Sequence, residues 1–129
     1  MAGKIIADTL EHSTAGSLTT DYVVNGSAKA WVNFNGTGTI AARDSLNLSS
    51  LTDSSIGNYS VNFSNNFTNA NYASLGIQGN ASASNPGSTG TIAVGQDASG
   101  LSSLETCNSN SGSNNDWAQL SHLSHGDLA

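Results

Sequence analysis

The chain contains few of the residues on which most globular domains depend. Of its 129 residues, 9% are charged and 6% are aromatic, and there is one cysteine and one proline. A single cysteine excludes an intramolecular disulfide and a cysteine-based zinc site. Three basic residues against nine acidic ones give a formal net charge of −6. That balance argues against binding to nucleic acid or to an anionic membrane surface.

Long hydrophobic runs are also missing. No window approaches the roughly 18 apolar residues of a membrane span, and the first eight residues have no room for the apolar core of a signal peptide. Leu, Ile, Val and Phe together number 25, close to the roughly one fifth of a chain below which disorder becomes an option. Because these residues are patterned, we expect a folded chain whose thin core is supplemented by contacts with partners, and therefore an oligomer.

Small polar residues take the place of the missing types. Ser, Asn, Gly and Thr account for 63 residues, about half of the chain. Their side chains make neutral, hydrogen-bonding surfaces that lose little rotamer entropy when they are covered. Such a surface suits a subunit that packs against identical neighbours or displays polar loops.

Apolar and polar residues alternate in the middle of the chain, which predicts strands with one buried face. Asp44 interrupts the second of four apolar rows, where it marks a bulge or pairs with Arg43 or Lys29. The predicted rows are Ala28, Ala30, Val32 and Phe34; Ile40, Ala42, Leu46 and Leu48; Tyr59, Val61 and Phe63; and Ala73, Leu75 and Ile77. Further strands are predicted at residues 91–94, 102–107 and 117–124.

Segments rich in Ser, Asn and Gly separate the predicted strands. Residues 79–90 and 108–115 are typical of mobile loops. No helix is predicted, and the best candidate is a single turn at residues 67–71. Six to eight short strands predict an all-β fold, an antiparallel β-sandwich of jelly-roll-like type. We assign residues 27–129 to the sandwich and residues 1–26 to an extended N-terminal arm.

The arm has no core of its own, but it carries two apolar pairs that can order on insertion into a neighbour. Trp31 lies off the apolar row of its strand, and we expect it to be covered in the core or at a subunit interface. The predicted docking and oligomerisation residues are Ile5, Ile6, Val23, Val24 and Trp31. The alternative is an aromatic platform on which a sugar stacks, with Trp31, Trp117, Tyr22, Tyr59 and Tyr72 as candidates.

The sequence has no GxSxG, HExxH or P-loop motif, and we expect neither enzymatic activity nor a cofactor. His122 and His125 are weak candidates for a metal site, in which one histidine from each chain of a trimer meets on the axis. A spacing of three puts them on opposite faces of a strand, and no carboxylate cluster supports them. We therefore expect an exposed or hydrogen-bonded histidine pair without metal.

A long run with tryptophan and phenylalanine in register occupies residues 28–50, AKAWVNFNGTGTIAARDSLNLSS. It is followed by GNYSVNF at residues 57–63, NYA at 71–73 and HGD at 125–127. Together these motifs resemble a module of tail-fibre-like and other virion structural proteins of tailed bacteriophages, including marine and cyanobacterial phages. The match covers residues 28–78 well and residues 116–129 loosely. The resemblance implies a β-rich, trimeric, non-enzymatic component of the virion.

Two hypotheses about function follow. In the first, the chain is a tail-fibre or knob module whose loops contact a host surface glycan or receptor; the candidate residues are Asn80, Ser84, Asn85, Asn110 and Asn114. In the second, it is a capsid decoration (cement) protein present in hundreds of copies. Either way we expect it in the virion, with itself and other virion proteins as partners. A cellular glycan-binding module is a third, less favoured reading.

Overall fold

The computed structural model describes residues 6–14, 16–79 and 90–129, and it confirms the all-β prediction. All the strand pairs of this described part are antiparallel. The elements are β1 (Thr9–His12), β2 (Gly16–Thr19), α1 (Thr20–Gly26), β3 (Ala30–Asn35), β4 (Ala41–Leu46), β5 (Leu48–Ser55), β6 (Asn58–Phe63), β7 (Ala73–Gly79), β8 (Gly90–Ala98), β9 (Leu101–Asn108), β10 (Ser113–Asn114) and β11 (Gln119–His125).

Two sheets pack face to face as a sandwich. The four-stranded sheet has the order β4-β3-β11-β7, and the five-stranded sheet has the order β8-β9-β6-β5 with β10 pairing to the end of β9. The predicted inward rows of β3 and β6 are confirmed. They are buried as Ala30, Val32 and Phe34, and as Tyr59, Val61 and Phe63.

Aromatic rings fill much of the space between the sheets. Phe34 of one sheet meets Tyr59 of the other edge to face, with ring centroids 5.5 Å apart. Phe63 makes similar edge contacts with Phe67 at 5.1 Å and with Tyr72 at 5.7 Å. The Tyr72 hydroxyl lies 2.5 Å from the Leu101 carbonyl oxygen, so a polar atom carried into the interior has a partner.

The predicted row from Ile40 to Leu48 is divided between two strands in different sheets. Asn47 has a positive φ of 58°, a conformation that asparagine tolerates better than most residues. Its side-chain oxygen accepts a hydrogen bond from the Asn65 backbone at 2.7 Å, which fixes the corner. The chain turns there from β4 into β5. Of the two alternatives predicted for Asp44, the bulge is present, but one residue away: Arg43 is the extra residue between two β3–β4 pairs, and Asp44 pairs with Asn33.

The predicted facing of β4 and β7 is wrong. Leu75 and Ile77 are 59% and 65% exposed, and Leu46 is 48% exposed. On β7 the small residues turn inward because β8 lies close. A Cβ on Gly76 would be 2.8 Å from Ile92 Cδ1 and 3.0 Å from Val94 Cγ2. Since β8 supplies the apolar contacts there, the larger residues of β7 remain outside.

The N-terminal arm is not simply extended, and the prediction that the chain has no helix is wrong. The strands β1 and β2 form a hairpin, and α1 follows with no buried residue. At seven residues, α1 is too short to show a helical period in the sequence. Asp21 in its first turn favours it through the helix dipole. The proposed turn at residues 67–71 is not formed, and Phe67 instead bridges Leu128.

Part of the predicted mobile loop at residues 108–115 is ordered. Its β10 segment pairs with β9, and the Gly112 amide donates to the Asn108 carbonyl oxygen at 2.8 Å. Within the described ranges, no helix is long and apolar enough to cross a membrane.

We predict that Gly36→Ala lowers the free energy of unfolding by about 1–3 kcal/mol, the usual cost of overpacking a core. A Cβ at Gly36 would lie 2.7 Å from both the Tyr59 hydroxyl oxygen and Leu120 Cδ1. Chemical denaturation measures the change. Gly26→Ala is the control, because a Cβ there meets nothing within 4 Å. Equal stability of the two variants would contradict the close approach at Gly36.

Candidate functional site

The two ends of the sandwich carry different features. The arm joins β3 at Ala30, which pairs with Ser124 of β11, and we call this the arm end. At the opposite end, Gln119 pairs with Gly79 and Gly90 pairs with Asn108. The residues that flank both predicted host-contact loops therefore lie at this second end, the loop end.

Hydrogen bonds anchor the chain at the loop end. The Asp116 carboxylate accepts from the Gly57 amide and from the Tyr59 hydroxyl, each at 2.7 Å. Burial, followed by the hydrogen bond and charge of Asp116, raises the pKa of Tyr59 above its usual range. Thr106 Oγ1 donates to the Asn115 carbonyl oxygen at 2.8 Å. No pattern in the sequence indicates these roles of Asp116 and Thr106.

The structure describes two of the five predicted host-contact residues, Asn110 and Asn114. Asn110 and Asn114 are exposed at the loop end, on the turn and short strand that follow β9. The side-chain oxygen of Asn108 accepts from the Asn110 amide at 3.0 Å, which holds the turn. Asn80, Ser84 and Asn85 lie outside the described residues.

The outer face of the four-stranded sheet carries an apolar row that the sequence interpretation missed. Trp31 pairs with Leu46 on one side and with Leu123 on the other, and Leu123 pairs with Leu75. We call these four residues the apolar row. A shallow cleft of about 270 Å³ is lined by three of them, Trp31, Leu75 and Leu123, and also by Ile77. The one signal in the sequence was the position of Trp31 off the buried row of β3.

The outer face of the five-stranded sheet is polar instead. An open groove of about 560 Å³ crosses it, lined mainly by small residues and by Ser60, Ser103 and Glu105. Asp53, Asp97 and Glu105 lie on this sheet, whose strands contain no lysine or arginine. Tyr59, the aromatic residue of the lining, is only 1% exposed. The groove therefore offers hydrogen-bonding groups and negative charge without an aromatic platform.

Most of the aromatic residues that were candidates for stacking on a sugar are buried. Trp117, Tyr59 and Tyr72 belong to the core, whereas Tyr22 on α1 is 70% exposed and Trp31 is half-buried. Of the predicted docking residues, Ile6, Val23 and Val24 are exposed on the arm. Ile5 lies outside the described residues.

The structure does not bring the two candidate metal ligands together. His122 is enclosed between the sheets, where its Nε2 lies 3.0 Å from Ser102 Oγ and its ring stacks on Phe63. His125 ends β11 and is half-buried. Within the described residues, no group of three or more His, Cys, Asp or Glu side chains could hold a metal ion. The Ser102–His122 contact is sealed in the interior, so a substrate cannot reach it.

Comparisons with known proteins add no family to this description, because no family model, curated protein or solved structure matches the chain. The sequence motifs and the surfaces of the chain are therefore the basis for inferring function.

We predict that His122 makes the fold sensitive to acid. Burial lowers its pKa to about 4, below the ordinary 6.5 of the unfolded chain, so the unfolded state binds a proton more readily. The stability contributed by neutral His122 is complete above pH 6.5 and is lost as the pH falls towards 4, by about 3 kcal/mol in total. Denaturation at several pH values measures this loss.

His122→Gln is the matched variant, because it keeps a polar side chain that does not titrate. Its stability should fall less than that of the wild type between pH 6.5 and pH 4. His125→Gln should retain the wild-type pH dependence. If His122→Gln and the wild type lose stability in parallel, another group is responsible for the acid sensitivity.

Proposed function

We propose that this chain is a non-enzymatic structural protein of a bacteriophage virion, a tail-fibre or knob module that is exposed on the particle and contacts the host surface. The virion part of the proposal rests on the motifs of residues 28–78, which resemble a module of bacteriophage virion structural proteins. The exposed-module part rests on the difference between the two ends of the sandwich. An exposed arm leaves one end, and polar turns stand at the other. A module anchored by one end presents its opposite end to the surroundings, and loops on a rigid scaffold are where recognition concentrates.

The chemistry of the loop end suits a polar target. The side chains of Asn110 and Asn114 each offer an amide donor and a carbonyl acceptor, and both are exposed. Hydrogen bonds accepted by Asp116 and donated by Thr106 keep the underlying chain in place, which lowers the entropy lost on binding. A host surface glycan or a polar receptor fits these groups.

A capsid decoration protein is the second candidate. It is favoured by the exposed apolar row, because a flat apolar sheet face suits attachment to a broad surface such as a shell. In that case the four-stranded sheet would face the shell.

Copy number in purified virions tests the proposal and separates the two candidates. Quantitative mass spectrometry against the major capsid protein should give a handful to a few dozen copies for a tail or vertex module. Hundreds of copies would favour shell decoration and remove support for host contact. Absence of the chain from virions would overturn both candidates.

We predict that Asn110→Lys combined with Asn114→Lys lowers binding of the purified chain to host cells at least tenfold, because long charged side chains replace the paired donors and acceptors. Cell-binding titration measures the loss. Ala70→Lys is the control, since Ala70 is exposed between Phe67 and Tyr72, near the arm end. Equal loss in both variants, or none in the double variant, would contradict recognition through the loop end.

A further inference from the structure

We propose that the outer face of the four-stranded sheet binds the N-terminal arm of a second copy of this chain. The proposal concerns self-association and stands whether or not the chain belongs to a virion. It identifies both surfaces of the contact, the arm from one copy and the apolar row from the other.

In the single chain, the apolar residues of the arm and those of the outer face of the four-stranded sheet are both exposed to solvent. On the sheet, Leu75 and Ile77 project beside the half-buried Trp31. On the arm, the large apolar residues Ile6, Leu10, Leu18, Tyr22, Val23 and Val24 are all exposed. A two-stranded hairpin and a seven-residue helix are each marginal in water without packing. The arm therefore needs a surface to lie on, and the sheet has an apolar surface to cover.

The arm does not cover the apolar row of its own chain. Three residues connect α1 to β3, and Lys29 holds them, since its Nζ donates to the Val24 carbonyl oxygen at the end of α1 and to Ser27 Oγ. The Lys29 amide also donates to the Ser124 carbonyl oxygen at 2.9 Å, which extends the pairing with β11. The connection fixes the arm in an orientation that leaves Leu75 exposed.

Charge selects the four-stranded sheet as the surface. Residues 6–26 contain Asp8, Glu11 and Asp21 and no lysine or arginine. The five-stranded sheet is acidic on its own and repels such a segment. The four-stranded sheet has Arg43 and Asp44, which balance, and Lys29 at its edge. It is therefore the sheet that accepts an acidic arm without charge repulsion.

The area of the face argues for the arm over a second sheet. Four strands about 4.8 Å apart, each contributing about five residues, make a face of about 300 Å². Two such faces in contact bury about 600 Å², which is the size of a crystal-packing contact and not of a stable interface. Reciprocal exchange of two arms doubles this to about 1,200 Å², where stable interfaces begin. In a closed ring of three copies, each arm likewise covers the four-stranded sheet of the next copy.

Crosslinking between two differently substituted full-length chains tests the contact. In a Cys107→Ser background, a tagged chain with Val24→Cys is mixed with an untagged chain with Leu75→Cys, and a short bis-maleimide is added. The tag gives the mixed product its own mobility. We expect this product in at least tenfold excess over that from a mixture in which Ala93→Cys, exposed on the other sheet, replaces Leu75→Cys.

The outcomes distinguish the possible occupants of the face. Equal yields with Leu75→Cys and Ala93→Cys would overturn the contact. A Leu75–Leu75 product without the mixed product would show sheet-to-sheet packing and would also overturn it. Light scattering of the unsubstituted chain must give a mass above 13.1 kDa, and a monomer at every concentration would contradict the proposal.

A charge placed on the row gives an independent readout. Leu75→Glu should convert the oligomer to monomer, because a carboxylate on the face repels the acidic arm, with the circular dichroism spectrum unchanged because Leu75 is outside the core. Ile56→Glu is the matched control, since Ile56 is 64% exposed on the β5–β6 turn. Retention of the oligomer by Leu75→Glu would overturn the proposal. Because these measurements use the purified chain, their failure is distinct from absence of the chain in virions.

Discussion

The edge-to-face contact of aromatic rings between the two sheets is the interaction on which the rest of the structure depends. Six of the eight aromatic residues are buried, and each of their large side chains removes far more apolar surface from water than a valine or alanine. Phe34 against Tyr59 joins the two sheets, and Phe63 against Phe67 and Tyr72 packs the connection between β6 and β7 onto the same core. The hydroxyls of Tyr59 and Tyr72 donate to backbone carbonyl groups, so both buried hydroxyls have a partner.

Beside these rings the interior holds few other large apolar residues, chiefly Val32, Val61, Leu104 and Leu120. Small residues such as Ser102, Thr106 and Ser124 complete the buried layer, and the larger residues of β4 and β7 turn outward. The two outer faces therefore differ, one being polar and acidic and the other apolar and nearly neutral. An exposed arm adjoins the neutral face. The proposed self-association rests on this distribution, because the single chain leaves large apolar residues exposed on the arm and on the four-stranded sheet.

The sequence was a good guide where two-residue alternation coincides with burial. In β3 and β6 the apolar residues are also the inward ones, so the period gave both the strand and its facing. In β7 the same period predicted the strand correctly but assigned its buried face wrongly. The inward position of Gly76 depends on β8 packing beside it, and that contact is not encoded in the alternation of β7. The corner at Asn47 and the short helix α1 were missed for a related reason. One positive φ and two turns of helix leave little periodic signal, and Lys29 donates to the end of α1 from outside it.

The candidate site was predictable in outline only. Trp31 and the apolar pairs of the arm were visible as apolar residues without a core, whereas the pairing of Trp31 with Leu46 and Leu123 depends on strand order. His122 shows the limit most clearly, since its neighbours Ser102 and Phe63 come from the other sheet and no spacing reveals them.

Hydrogen–deuterium exchange of the intact chain at increasing protein concentration tests most directly whether a second copy completes the structure. Amide protection should rise with concentration in the arm, residues 6–26, and in β7, while β6 stays protected throughout. Exchange in the arm and in β7 that is fast and independent of concentration would contradict the account.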